Sequence, residues 1–212
     1  MDQELEHIWR MNRDQMVQRL ETIVKECPKH GLSLHLGCGP QHLAGFINAD
    51  KYYDHPRVVK WDMYQIPLVD GIVSTIYSSH ALEHLPFHWA KLALVEWGRV
   101  LKQGGRVFLA IPDLEVICQK MLDPEIPVEV RHSWYHYTLF GYQIDPNTLK
   151  QPNNLNLSDV SDFPLDEGQF HRCGFTEGTI QYFLRQAGFD IAEIFKYDGY
   201  STPSIWVSAV KV

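Results

Sequence analysis

Cysteine is scarce in this chain: Cys27, Cys38, Cys118 and Cys173 are far apart in 212 residues, and no two form a Cys-x-x-Cys pair. That excludes a disulfide framework and a cysteine-built zinc site, and the four read as reduced thiols in a cytoplasmic protein. Lysine and arginine form no cluster and the formal charge is -7, so a phosphate-backbone binder is not expected and nucleic acid is not a foreseen partner. No apolar run approaches the roughly 18 residues that cross a bilayer, and the first residues are acidic where a secretion signal is basic; no membrane association is expected. There is no Gly-x-Gly-x-x-Gly and no Tyr-x-x-x-Lys, so a nicotinamide-dependent reductase would lack both its usual phosphate loop and its usual acid. Internal repeats and low-complexity tracts are absent as well.

What is present is a chain with 45% hydrophobic and 12% aromatic residues, enough to bury one sizeable core. Residues 2 to 26 place Leu5, Ile8, Trp9, Met16, Leu20, Ile23 and Val24 on one helical face, with Pro28 and Gly31 ending it. Short apolar runs then alternate with helical or turn segments: Leu32 to Leu36, Phe46 to Ala49, Val58 to Trp61, Ile72 to Tyr77 and Val107 to Ile111. That alternation predicts right-handed crossovers and a mostly parallel sheet. Residues 118 to 170 are proline-rich and aperiodic, which suits an insertion over the active-site edge. Thr176 is placed to cap a helix to Ala187, and the runs Ile191 to Tyr197 and Ile205 to Val210, with no helix between them, should pair antiparallel. The expectation is a single α/β domain: an N-terminal helix (1–30), a cofactor-binding half (32–117), an insertion or lid (118–170) and a C-terminal helix and hairpin (171–212).

The chemistry gathers at strand ends. Leu32-Ser33-Leu34-His35-Leu36 stops at Gly37-Cys38-Gly39-Pro40, and glycine at the carboxyl end of a buried strand lets backbone approach a ligand closely. The second strand ends at Asp50, where a carboxylate can accept bonds from ribose hydroxyls, and the third at Asp62-Met63, where an acid and an apolar neighbour can meet an adenine. The fourth runs into Ser78-Ser79-His80, followed by Glu83 and His84.

With these motifs, and with Ser79-His80-Ala81-Leu82-Glu83-His84-Leu85, Glu96-Trp97-Gly98-Arg99-Val100-Leu101, Ile111-Pro112-Asp113 and His171-Arg172-Cys173-Gly174-Phe175-Thr176, the chain resembles class I S-adenosylmethionine-dependent methyltransferases. The branch is the one grouped with type 11 methyltransferase domains. The resemblance implies a doubly wound, Rossmann-like sheet of seven strands with the last antiparallel. It implies S-adenosylmethionine as cofactor, held by Leu36, Gly37, Cys38, Gly39, Pro40, Asp50, Lys51, Asp62, Met63, Ser79 and His80. Two departures stand out: Gln41 replaces a third glycine, and only 13 positions separate Gly37 from Asp50, so the first crossover helix must be very short.

Methyl transfer from a sulfonium needs alignment, exclusion of water and, for a hydroxyl acceptor, a base. His80 and His84, four apart, are the candidate catalytic bases. Asp113, Trp134, His136, His171 and Arg172 are candidate substrate contacts. Glu83 with His80 and His84 has the composition of a metal site, but members of the family mostly work without metal and none is expected. A small-molecule acceptor is expected, a sugar hydroxyl first. The alternatives are a non-catalytic module that keeps the fold for a partner, and a nicotinamide-dependent reductase. The sequence leaves the oligomeric state open.

Overall fold

The computed structural model describes residues 31–141, 167–197 and 202–212. The expected N-terminal helix over residues 2 to 26, and much of the expected insertion, lie outside the described residues. Seven strands form one sheet: β1 (Leu32–Leu36), β2 (Ile47–Ala49), β3 (Val58–Val59), β4 (Val73–Ser79), β5 (Leu101–Pro112), β6 (Phe189–Tyr197) and β7 (Ser204–Lys211). Their order is β3-β2-β1-β4-β5-β7-β6. The first five are parallel, and β7 lies antiparallel between β5 and β6, as the sequence predicts.

Periodicity explains the two faces. Along β5, Val107, Leu109 and Ile111 join the main core with Leu34, Leu36 and Ile76, whereas Phe108 and Ala110 turn to the other face beside Tyr77 and Trp206. Helix α1 (Phe87–Val100) covers the main core with Ala90, Ala93, Leu94 and Trp97, all fully buried at steps of three and four. The shorter elements that follow are α2 (Leu114–Leu122), α3 (Val128–Val130) and α4 (His136–Phe140). Helix α5 (Glu177–Gln186) adds Ile180 and Leu184 to the core, and its N-terminus is closed by a capping box between Thr176 and Thr179.

Two sequence expectations change. No helix forms between β1 and β2; residues 37–46 are turns, and the close fastening of Gly37 N and Cys38 N to Ala49 O (2.8 and 3.1 Å) explains how 13 positions suffice. The third strand is only Val58–Val59, so Asp62 sits three residues beyond it, in a turn closed by Gln65 N on Asp62 O.

The Glu96-Trp97-x-Arg99 stretch of α1 pins the chain that follows Met63. Trp97 Nε1 donates to Met63 O at 2.9 Å, Glu96 accepts from Ile66 N, and Arg99 donates to the carbonyls of Ile66 and Leu68 and pairs with Asp70 at 2.6 Å. The side-chain bond to Arg99 holds the Glu96 carboxyl below its ordinary range. Three polar side chains of one helix therefore position a loop that reaches the candidate site.

Candidate functional site

Chain reversal locates the site before any side chain does. From β1 the chain steps to β2 and β3 on one side, then crosses to β4 on the other, so the crevice of an open α/β sheet falls at the carboxyl ends of β1 and β4. A cavity of about 1030 Å³ opens there, lined by Gly37, Cys38, Gly39 and Pro40 after β1 and by Ser79 and His80 after β4. Asp50, Lys51, Asp62 and Met63 line it from the ends of β2 and β3.

The glycines are required by backbone shape. Gly37 and Gly39 have φ of +65° and +47°, a region disfavoured for residues with a Cβ. A Cβ at Gly37 would strike the Ala81 side chain, whereas one at Gly39, a lining residue of the cavity, would meet nothing within 4 Å. The empty cradle over Gly39, the acids at the strand ends and the volume together fit a nucleoside-bearing ligand. Cys38 is buried, and burial together with Asp50 pushes its thiol up to about 11, so it packs rather than reacts.

Asp50 organises the loops around this cradle. Its Oδ2 accepts from Gly39 N at 2.9 Å, and its Oδ1 accepts from both Tyr52 N and Tyr53 N at 2.8 Å. With Oδ1 doubly engaged, Oδ2 retains the acceptor capacity for a ligand hydroxyl. Asp62 is paired with Lys51 at 2.9 Å, and Lys51 Nζ also lies 5.8 Å from the ring centroids of Tyr52 and Tyr64.

On the opposite wall, His80 has φ +49°, a left-handed backbone rare outside glycine, asparagine and aspartate and consistent with a constrained site. Its Nε2 lies 3.1 Å from Ser204 Oγ and its Nδ1 3.4 Å from Glu83 Oε1. Ser204 Oγ donates to Thr202 O, so it accepts from His80. Glu83 is 1% exposed. Burial works to raise its carboxyl, but the neighbouring His80, His84 and His171 carry it below its ordinary value. His84 also lines the cavity, with Nδ1 donating to Phe170 O at 3.2 Å. Gly168, Gln169 and Arg172 also line the cavity.

Several sequence-predicted residues stand elsewhere. Leu36 is fully buried in the core and contributes strand, not lining. Asp113 caps α2 by accepting from Glu115 N and Val116 N and pairs with Lys196 at 3.3 Å; it is absent from the cavity wall. Trp134 is half-exposed and His136 packs on Phe140 at 4.8 Å, both outside the wall. His171 lies behind it, with Nδ1 donating to Thr138 O and Nε2 3.9 Å from Glu83 Oε1; burial lowers its imidazole below the ordinary value. The sequence reading missed an aromatic wall of Tyr52, Tyr53, Tyr64 and Trp89, in which Tyr64 and Trp89 meet at 4.5 Å. The signal was available, since Tyr52, Tyr53 and Tyr64 each follow a strand-end acid within three residues.

The corrected position of Asp113 carries a prediction. Asp113→Ala removes the α2 cap, worth typically about 1 kcal/mol and at most about 2, and should lower the melting temperature by about 2–8 °C in thermal denaturation. Ligand affinity at the cavity should be unchanged by titration; a large loss of affinity would return Asp113 to the site.

Comparison with known proteins agrees with this geometry. Residues 42–109 match the model of a family described as a methyltransferase domain. No curated protein matches the chain by sequence. Among solved structures, a Pyrococcus horikoshii OT3 protein is similar over 95% of this chain and 91% of its own, with TM-score 0.59 and 14% identity. A SAM-dependent methyltransferase of Methanosarcina mazei is similar over 90% and 97%, with TM-score 0.59 and 13% identity. The magnesium protoporphyrin IX methyltransferase of Synechocystis PCC 6803, solved with bound SAM, covers 100% of this chain and 86% of its own, with TM-score 0.53 and 14% identity.

Proposed function

We propose that this chain, a class I S-adenosylmethionine-dependent methyltransferase by its fold and by its methyltransferase-domain segment, methylates a hydroxyl of a small-molecule acceptor, a sugar first. The observation that carries the reading is one cavity of about 1030 Å³ with strand-end acids and aromatic rings on one side and histidines on the other. Small-ligand pockets span roughly 300–1,000 Å³, so the cavity has room for the cofactor and a second small molecule.

The cofactor is S-adenosylmethionine, which when bound supplies a methyl group activated by a sulfonium. Gly37 and Gly39 leave space for it, Asp50 Oδ2 takes a ribose hydroxyl, and Asp62 with Met63 meets the adenine. The aromatic wall orients the acceptor and excludes water, which is most of what a displacement of this kind requires from the protein. A hydroxyl acceptor must also lose its proton, and His80 and His84 are the lining groups suited to take it. His84 Nδ1 is committed to Phe170 O, which leaves its Nε2 to meet the acceptor, and His80, whose Nδ1 faces Glu83, acts as a base once Nε2 gives up the proton it donates to Ser204 Oγ. Aromatic rings stacked against the apolar faces of a pyranose favour a sugar over a charged acceptor. The cytoplasm remains the expected location; no helix among the described residues is long and apolar enough to cross a membrane.

The test is transfer of labelled methyl from S-adenosylmethionine to a panel of free and nucleotide-linked monosaccharides, with amines and carboxylates alongside. His80→Asn, which tolerates the left-handed backbone, should lower kcat by about 10²–10⁴ while S-adenosylhomocysteine affinity stays within a few-fold. Transfer to amines alone would remove the sugar reading, and an unchanged kcat in the variant would remove His80 as base.

A further inference from the structure

At the cavity wall His84 meets two residues, Glu83 and His171, that stand off the lining and that methyl transfer does not use. Glu83 and His171 are 88 positions apart in sequence, yet Glu83, His84 and His171 each place one potential ligand atom within 4.8 Å of the other two. The Glu83 carboxylate is 1% exposed, and among the described residues neither of its oxygens makes a well-formed hydrogen bond, with His80 Nδ1 3.4 Å and His171 Nε2 3.9 Å from Oε1. An unsatisfied buried carboxylate is among the costliest groups a fold can hold, and such groups are normally paired or bound to a cation.

The two imidazoles are preset in a complementary way. A carbonyl oxygen only accepts, so His84 Nδ1–H donates to Phe170 O (3.2 Å) and His171 Nδ1–H donates to Thr138 O (2.9 Å). Each ring therefore carries its lone pair on Nε2. Backbone carbonyls that hold one ring nitrogen and thereby fix the other as a ligand are the outer-shell arrangement usual around metal-bound histidine. The His171 Nε2 lone pair lies 3.9 Å from Glu83 Oε1 and cannot bond to it; a cation between the carboxylate and the two imidazoles satisfies all three.

We propose that Glu83, His84 and His171 form a binding site for a divalent transition-metal ion. Two imidazoles and a carboxylate are the donor set of zinc, iron or manganese sites with an open position. Metal–ligand distances near 2.0–2.2 Å bring donor atoms roughly 3–3.5 Å apart, so closure from 4.8 Å requires side-chain shifts of about an ångström. The ion ties three parts of the chain together: the turn after β4, the segment around Phe170 and His171, and, through Thr138 O, helix α4. Arg172 N and Cys173 N already donate to Glu83 O at 2.8 and 3.2 Å, so the backbone on the two sides of the site is clasped without the ion. With its Nε2 on the ion, His84 is withdrawn from proton transfer, and His80 is left as the base once Nε2 gives up the proton it donates to Ser204 Oγ.

The experiment uses the full chain with any affinity tag removed, stripped with chelator and titrated with Co²⁺ and then Zn²⁺. One equivalent of Co²⁺ with a visible absorption band, displaced by Zn²⁺ and accompanied by a higher melting temperature, is the expected result. Glu83→Gln and His171→Gln should each weaken uptake by more than the roughly 10–100-fold that loss of an outer-shell partner produces. The proposal is overturned if the stripped chain binds S-adenosylhomocysteine, and so is folded, yet takes up neither ion at hundreds of micromolar. It is equally overturned if both variants bind Co²⁺ as wild type does. Because S-adenosylhomocysteine binding is read separately, failure here leaves the methyltransferase reading untouched, and the converse holds.

Discussion

Gly39→Val is expected to reduce S-adenosylhomocysteine binding by at least about a hundredfold while leaving the far-UV spectrum intact. Gly39 lines the cavity at φ +47°, where a β-branched residue is an outlier costing about 1–3 kcal/mol, and a Cβ there would meet no protein atom within 4 Å. The substitution therefore fills ligand space without disturbing a neighbour. Gly37→Ala provides the contrast, since its Cβ would strike Ala81 in the wall after β4. That variant should lose stability as well as binding. Isothermal titration and thermal denaturation of the two side by side separate a ligand cradle from an ordinary turn; normal binding by Gly39→Val would mean that the loop is only a turn.

Asp50→Ala should weaken S-adenosylmethionine by about ten- to a hundredfold, the equivalent of one charge-assisted bond of roughly 1.5 to 3 kcal/mol. Part of that loss has a structural origin, because the carboxylate also accepts from Gly39 N, Tyr52 N and Tyr53 N and so fixes the loops after both β1 and β2. The diagnostic quantity is therefore a ratio. Wild type should prefer the parent cofactor over its 2'-deoxyribose analogue; the variant should bind both equally weakly, because the partner of that hydroxyl is gone. Asp62→Asn should retain ribose discrimination and lose selection for the exocyclic amine of adenine, together with the Lys51 pair. If Asp50→Ala still rejects the deoxy analogue, Asp50 is a loop anchor and not a ribose ligand.

The parts legible in the sequence were those set by local chemistry. A buried leucine run stopping at Gly37, an acid closing β2 and a second acid in the turn after β3 lie at the carboxyl ends of strands, which is where this sheet gathers its site. The alternation of apolar runs predicted a mostly parallel sheet, and the missing helix before Ile205 marked the antiparallel pairing of the last two strands. Asp113 misled because it also follows a strand, yet β5 lies one strand beyond the reversal between β1 and β4, and its acid caps a helix instead. The aromatic wall escaped notice because Tyr52, Tyr64 and Trp89 come from three separate segments that only the fold brings together. The same holds for Glu83 and His171, whose approach depends on Arg172 and Cys173 bonding to Glu83 O. A spacing of His80 to His84 is visible in one dimension; a partner 88 positions from Glu83 is not.

The central claim is that the cavity between β1 and β4 is built for S-adenosylmethionine, and calorimetric titration of the full chain with S-adenosylmethionine, S-adenosylhomocysteine and NADH side by side tests it most directly. One saturable site for the first two, no heat from NADH, and about 2.7 kcal/mol of added stability at a hundredfold excess of S-adenosylhomocysteine over Kd are the predicted results. Saturable binding of NADH, with neither sulfur ligand bound at millimolar concentration, would contradict it.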